Sequence, residues 1–80
     1  MKNISVKDVI EMLKDGYKIK ENNYNYTYRV VIDNGAGCMD TELYYLTMRQ
    51  MWKLQDENII KKDYSGWMFN YYIYNNEVNK

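Results

Sequence analysis

The sequence predicts a small single-domain α+β protein in which an antiparallel sheet is packed by two helices. Two segments, residues 6–15 and 48–57, repeat apolar residues at helical spacing behind a hydroxyl-bearing N-cap. Other segments alternate with period two, and Asn and Gly gather between them. The expected order is helix, strand, strand, a further strand, helix, strand, strand, over one domain of residues 1–80 with a frayed tail from about 75.

The first helix is expected from Val6 to about Asp15. Ser5 is its N-cap, Asp8 stands three residues on as in a capping box, and Ile4 can staple onto Val9. Val6, Val9, Ile10, Leu13 and Tyr17 form its apolar stripe, and Gly16 falls where a left-handed residue ends a helix. The segments YKIKE and YNYTYRVVID both alternate. A two-residue turn at Asn22 and Asn23 would set Glu21 opposite Tyr24, Ile19 opposite Tyr26 and Tyr17 opposite Tyr28. Tyr17, Ile19, Tyr26, Tyr28, Val30 and Ile32 then share one face, and Lys18, Lys20, Thr27 and Arg29 the other.

An Asn-Gly turn at Asn34 and Gly35 follows. Glu42 to Leu46 reads as a strand in preference to a short helix, because Thr47 to Gln50 is a full capping box that begins a new helix. That helix is expected to reach about Glu57, with Met48, Met51, Trp52 and Gln55 along its stripe, Leu54 at the edge and Asn58 as a left-handed stop. Ile59–Asp63 and Trp67–Tyr74 form a second hairpin across Tyr64, Ser65 and Gly66.

At 46% hydrophobic and 28% charged, the composition is that of a folded domain rather than a disordered chain. Eleven basic residues balance eleven acidic ones, so there is no global field to draw the protein to phosphate or to anionic membranes. No apolar run approaches the roughly 20 residues of a membrane span, and the opening residues lack a signal-peptide pattern, so a cytoplasmic protein is expected.

With no His, one Cys and two Ser, the usual nucleophile and base pairs and the Cys/His zinc sites cannot be assembled. No enzyme and no cofactor are expected. Asp33, Asp40 and Glu42 flank the Gly-bearing turn, but their spacing misses the calcium-loop pattern and they read as solvated turn acids. Gly35-Ala36-Gly37 reads as a turn rather than a phosphate cradle, and Cys38 as an inert thiol with no cation beside it in sequence.

Two binding surfaces are candidates. On the final strand Trp67, Phe69, Tyr71 and Ile73 make an apolar face, while Met68, Tyr72 and Tyr74 make the opposite face nearly as apolar. Tyrosine and tryptophan suit protein contacts because they bury much area yet keep a polar tip, so Met68, Tyr72 and Tyr74 are the protein-interface candidates. A homodimer would use the same face. Tyr24, Tyr26 and Tyr28 beside Arg29 would make a stacking platform for single-stranded nucleic acid, except that alternation puts Arg29 on the other face.

The capped helix, the strand entering a hairpin with Lys61 and Lys62, the Gly-bearing tip and the return strand, Thr47 to Tyr74, resemble the second half of a winged-helix DNA-binding domain. That resemblance implies base or phosphate contacts from Arg49, Gln50 and Lys53, and backbone contacts from Lys61, Lys62 and Tyr64. A phosphate-tracking protein uses about six to ten cations, whereas this stretch offers four, with Asp56, Glu57 and Asp63 beside them.

The opening ISVKDVIEMLKDGYKIKE, chiefly Asp8, Ile10, Lys14, Tyr17 and Lys20, resembles the start of small phage-encoded proteins that include anti-CRISPR inhibitors of type II effector nucleases. A composition rich in Asn, Lys, Ile and Tyr, with no Pro, is similar to translation from AT-rich genomes such as those of low-GC bacteria and their phages. These resemblances imply a phage or mobile-element protein that binds a host protein stoichiometrically, in the most specific version a bacterial immune effector.

Overall fold

The computed structural model describes residues 1–22, 27–32, 35, 40–65 and 68–74. They form β1 (Lys2–Asn3), α1 (Val6–Lys14), β2 (Lys18–Asn22), β3 (Thr27–Ile32), β4 (Thr41–Leu46), α2 (Met48–Asp56), β5 (Ile60–Ser65) and β6 (Met68–Ile73). The strands make one sheet in the order β1-β4-β3-β2-β6-β5, antiparallel except where β1 lies parallel to β4. The fold is thus α+β, with two helices and a mostly antiparallel six-stranded sheet. Asn23, Asn34, Ala36 and Gly37, and the tail from residue 75, lie outside the described residues, whereas Gly35 is described and has a positive φ of 102°.

Both helices begin and end on local chemistry. The Ser5 hydroxyl accepts from the Asp8 amide, and Thr47 and Gln50 form the complete reciprocal box. At the other ends, Gly16 donates to the Leu13 carbonyl while Tyr17 donates to Met12, and Asn58 donates to Gln55 while Ile59 donates to Leu54. These are two Schellman closures, and their C′ residues, Gly16 and Asn58, take the positive φ that such closures need, 100° and 56°.

Register decides which residues meet. Ile19 pairs with Val30 on β3 and with Tyr71 on β6, and Val30 pairs with Tyr44 on β4, so these residues share one face. Val9, Ile10 and Leu13 of α1 and Met51 and Leu54 of α2 join Ile19, Val30, Leu46, Ile60 and Tyr71 in a single buried cluster on that face. Ile4 and Ile59 complete it at the helix ends.

The first hairpin differs from the expected register. Glu21 pairs with Tyr28 and Asn22 with Thr27, so the connection is four residues long and Asn22 belongs to the strand rather than the turn. The slip from the two-residue turn is four positions. An even slip leaves every side chain on its face, which is why the expected face assignment for Ile19, Tyr28 and Val30 holds while the expected pairs, Ile19 with Tyr26 and Tyr17 with Tyr28, do not. The observed register brings the fully buried Ile19 and Val30 together at the centre of the core. The second hairpin is also tighter than expected: Tyr64 and Ser65 pair with Phe69 and Met68, leaving residues 66 and 67 as the connection.

Two other expectations are corrected. β1 pairs with β4 through only two residues, too few to carry a strand pattern in the sequence. On α2 the buried stripe is Met51 and Leu54, while Met48 and Trp52 remain 40% and 55% exposed and Gln55 is exposed. The phase of this nine-residue helix follows Gln50. Its side-chain oxygen accepts from the Thr47 amide at 2.8 Å and from Asn3 Nδ2 at 2.9 Å, and its Nε2 donates to the Ile4 carbonyl at 2.7 Å. Drawing Gln50 toward the β1 segment turns Met51 and Leu54 inward and carries Trp52 outward.

Thr47→Ala should cost about 1 kcal/mol, the ordinary loss of an N-cap. Gln50→Ala should cost more, about 1 to 3 kcal/mol, because it also leaves the Ile4 carbonyl without its side-chain donor. Urea denaturation of the two variants against the wild type gives the comparison.

Candidate protein-binding surface

β6 lies between β2 and β5, and its alternation divides it between the two sides of the sheet. Phe69, Tyr71 and Ile73 face the helices, and Tyr71 is only 2% exposed. Asn70, Tyr72 and Tyr74 face the other side, where Tyr72 is 39% and Tyr74 62% exposed. The Tyr74 amide donates to the Ile59 carbonyl at 2.8 Å, which holds the end of the strand against the segment leading into β5. Met68 pairs with Ser65 in the same ladder, and its side chain lies outside the described residues.

The side of the sheet away from the helices is polar across most of its width. Asp63, Asn70, Lys20, Arg29 and Tyr45 stand directly opposite one another from β5 to β4. Lys20 and Arg29 are like charges in one cross-strand pair, an arrangement that costs stability unless acids offset it. Asp40 does so by reaching Lys18 at 3.3 Å and Lys20 at 3.9 Å, and Glu42 lies 3.9 Å from Arg29. Arg29 also lies over the Tyr45 ring at 5.9 Å. Asp40 and Glu42 therefore serve as counter-ions to the sheet, and among the described residues no group of three or more His, Cys, Asp or Glu is placed to hold a metal. Asp33 and Cys38 lie outside the described residues. Charge on the β4 side is thus internally satisfied, and the tyrosines are exposed on the β6 side.

The five residues expected to contact DNA are not brought together. Arg49 and Lys53 are exposed on α2, with Lys53 3.8 Å from Glu57, whereas Gln50 is held by Thr47, Asn3 and Ile4. Lys61 and Lys62 point to opposite sides of the sheet. Lys61 pairs with Tyr72 on the side away from α2, while Lys62 pairs with Tyr71 and sets its ammonium 4.1 Å from the centre of the Phe69 ring. Tyr28 packs against the core and meets Tyr71 edge to face at 6.4 Å, and Tyr24 and Tyr26 lie outside the described residues.

Beneath the tyrosine surface lies a polar contact that sequence reasoning missed. Glu21 is buried, and the Tyr71 hydroxyl donates to its Oε1 at 2.5 Å. Burial raises the Tyr71 phenol well above the ordinary tyrosine value, the hydrogen bond to Glu21 and the carboxylate charge raise it further, and a side-chain hydrogen bond from Gln55 acts in the opposite sense. The signal was present in YKIKE, whose alternation sets Glu21 on the face of Ile19. Its partner is fifty residues away and invisible to any local pattern.

No family model, no curated protein and no solved structure matches the chain.

Tyr71→Phe should cost about 1 to 3 kcal/mol by leaving a buried carboxylate without this donor. It should also change the alkaline profile. The unfolded chain releases the phenol proton near the ordinary value of about 10 while the folded chain retains it, so this stabilisation is complete below that pH and declines above it. Urea midpoints should fall more steeply as the pH rises above about 10 for the wild type than for the variant.

Proposed function

We propose that the chain is a non-enzymatic binding module that acts by stoichiometric contact with another protein, using the surface around Tyr72 and Tyr74. The observation that carries this reading is the division of β6: Tyr71 is buried, while Tyr72 and Tyr74 on the other side are exposed with no element of the described chain lying over them. Two large rings on one rigid strand lose little conformational freedom on binding, and each keeps a hydroxyl for water or for a partner. Lys61, across from Tyr72, adds a positive charge at the margin, which suits a partner presenting apolar groups beside carboxylates.

The resemblance of residues 4–21 to phage-encoded inhibitors supports a phage or mobile-element protein acting on a host protein in the cytoplasm, with a bacterial immune effector as the most specific version. The dispersed cations on α2 and β5 favour a protein partner over duplex DNA.

Tyr72→Ser combined with Tyr74→Ser should leave the circular dichroism and urea midpoint close to wild type. A host protein retained by the immobilised wild-type chain should be lost with this variant, and calorimetry of the purified pair should give one-to-one binding. Retention of the same protein by the folded variant would overturn the reading. So would salt-sensitive binding of a labelled duplex in fluorescence anisotropy that depends on Arg49, Lys53 and Lys61.

A further inference from the structure

Among the described residues β5 ends the sheet, and its place in the ladder determines what its outer edge presents. The hydrogen bond from Tyr74 to Ile59 marks those two as a hydrogen-bonded pair. Such pairs alternate along an antiparallel ladder, so Lys61, Asp63 and Ser65 turn their backbone groups toward β6, and Ile60, Lys62 and Tyr64 turn theirs outward. The exposed side chains of Lys61 and Asp63 stand on the side of the sheet away from the helices. Lys62 stands on the helix side with its ammonium drawn inward over Phe69.

We propose that this edge is completed by a second copy of the chain, added antiparallel about a two-fold axis at Lys62. In that register Ile60 of each copy faces Tyr64 of the other, and outward backbone groups meet outward backbone groups along the edge. The intervening non-hydrogen-bonded pairs set Lys61 opposite Asp63 of the second copy, and Asp63 opposite its Lys61, at about 4.5 Å between Cα atoms, the spacing at which cross-strand charges interact best.

The charges select this register over its neighbours. A slip of two residues in one direction sets Asp63 against Asp63 of the second copy, and in the other direction sets Lys61 against Lys61. The two Lys62 residues meet on the axis, but their ammonium groups are held over Phe69, away from the seam. A two-fold interface must be complementary to itself, and the spacing of Lys61 and Asp63 satisfies that condition. The same lysines discourage pairing with an unrelated strand. A single added strand pair buries less than the roughly 1,200 Å² of tight complexes, so the dimer is weak and forms at high protein concentration.

Sedimentation equilibrium over a concentration series tests this with charge reversals. The wild type should move from its 9.8 kDa monomer toward twice that mass as concentration rises. Lys61→Asp and Asp63→Lys should each remain monomeric over the same series while keeping wild-type circular dichroism. An equal mixture of the two single variants should form a heterodimer, because each opposed pair then joins unlike charges, and the double reversal Lys61→Asp with Asp63→Lys should again self-associate. A wild type that stays monomeric throughout, or single reversals that associate as the wild type does, would overturn the proposal. Neither result decides the reading of the tyrosine surface, which turns on Tyr72 and Tyr74.

Discussion

The hydrogen bond between Tyr71 and Glu21 crosses the seam where the sheet is assembled from two hairpins. On one side β2 pairs with β3, on the other β5 pairs with β6, and the ladder between β2 and β6 joins them through Ile19 with Tyr71, Lys20 with Asn70 and Glu21 with Phe69. A carboxylate taken out of water needs a donor, and Tyr71 supplies one only in this register. Shifting β6 by one residue would turn Tyr71 to the open side and put Tyr72 in the core. The seam therefore sets which tyrosines are buried and which are available, and it leaves β5 at the edge.

A second polar node does for α2 what the seam does for β6. Gln50 caps its own helix and also ties it to Asn3 and Ile4, so one side chain fixes both the start of the helix and its rotation. That rotation sends Met51 and Leu54 inward and leaves Trp52 in solvent. In a domain this small, with short helices and a modest core, a few polar contacts of this kind select one arrangement among several of similar apolar burial.

Features that depend on neighbouring residues were legible in the sequence. Ser5, the Thr47–Gln50 box, Gly16 and Asn58 announce helix ends because each cap is closed within a few residues, and alternation in YKIKE and TYRVVI assigns faces without knowledge of any partner strand. What escaped depends on distant residues. Alternation cannot distinguish registers that differ by an even slip, so the faces of the first hairpin were readable while its pairs were not. The stripe of α2 could be drawn through Met48 or through Leu54, and the choice is made by the Ile4 carbonyl, which no helical pattern contains. At the tyrosine surface, the shared face of Tyr72 and Tyr74, opposite that of Tyr71, followed from alternation, but their exposure and the contact of Glu21 with Tyr71 did not.

The strand order also bears on how the chain reaches this fold. β6 follows every other strand in sequence yet lies inside the sheet, and its contact with β2 closes a separation of fifty residues. Closing that loop costs chain entropy before any of the core contacts of Tyr71 are gained. Until it closes, β2 is itself an open edge, with backbone groups free to pair with another chain.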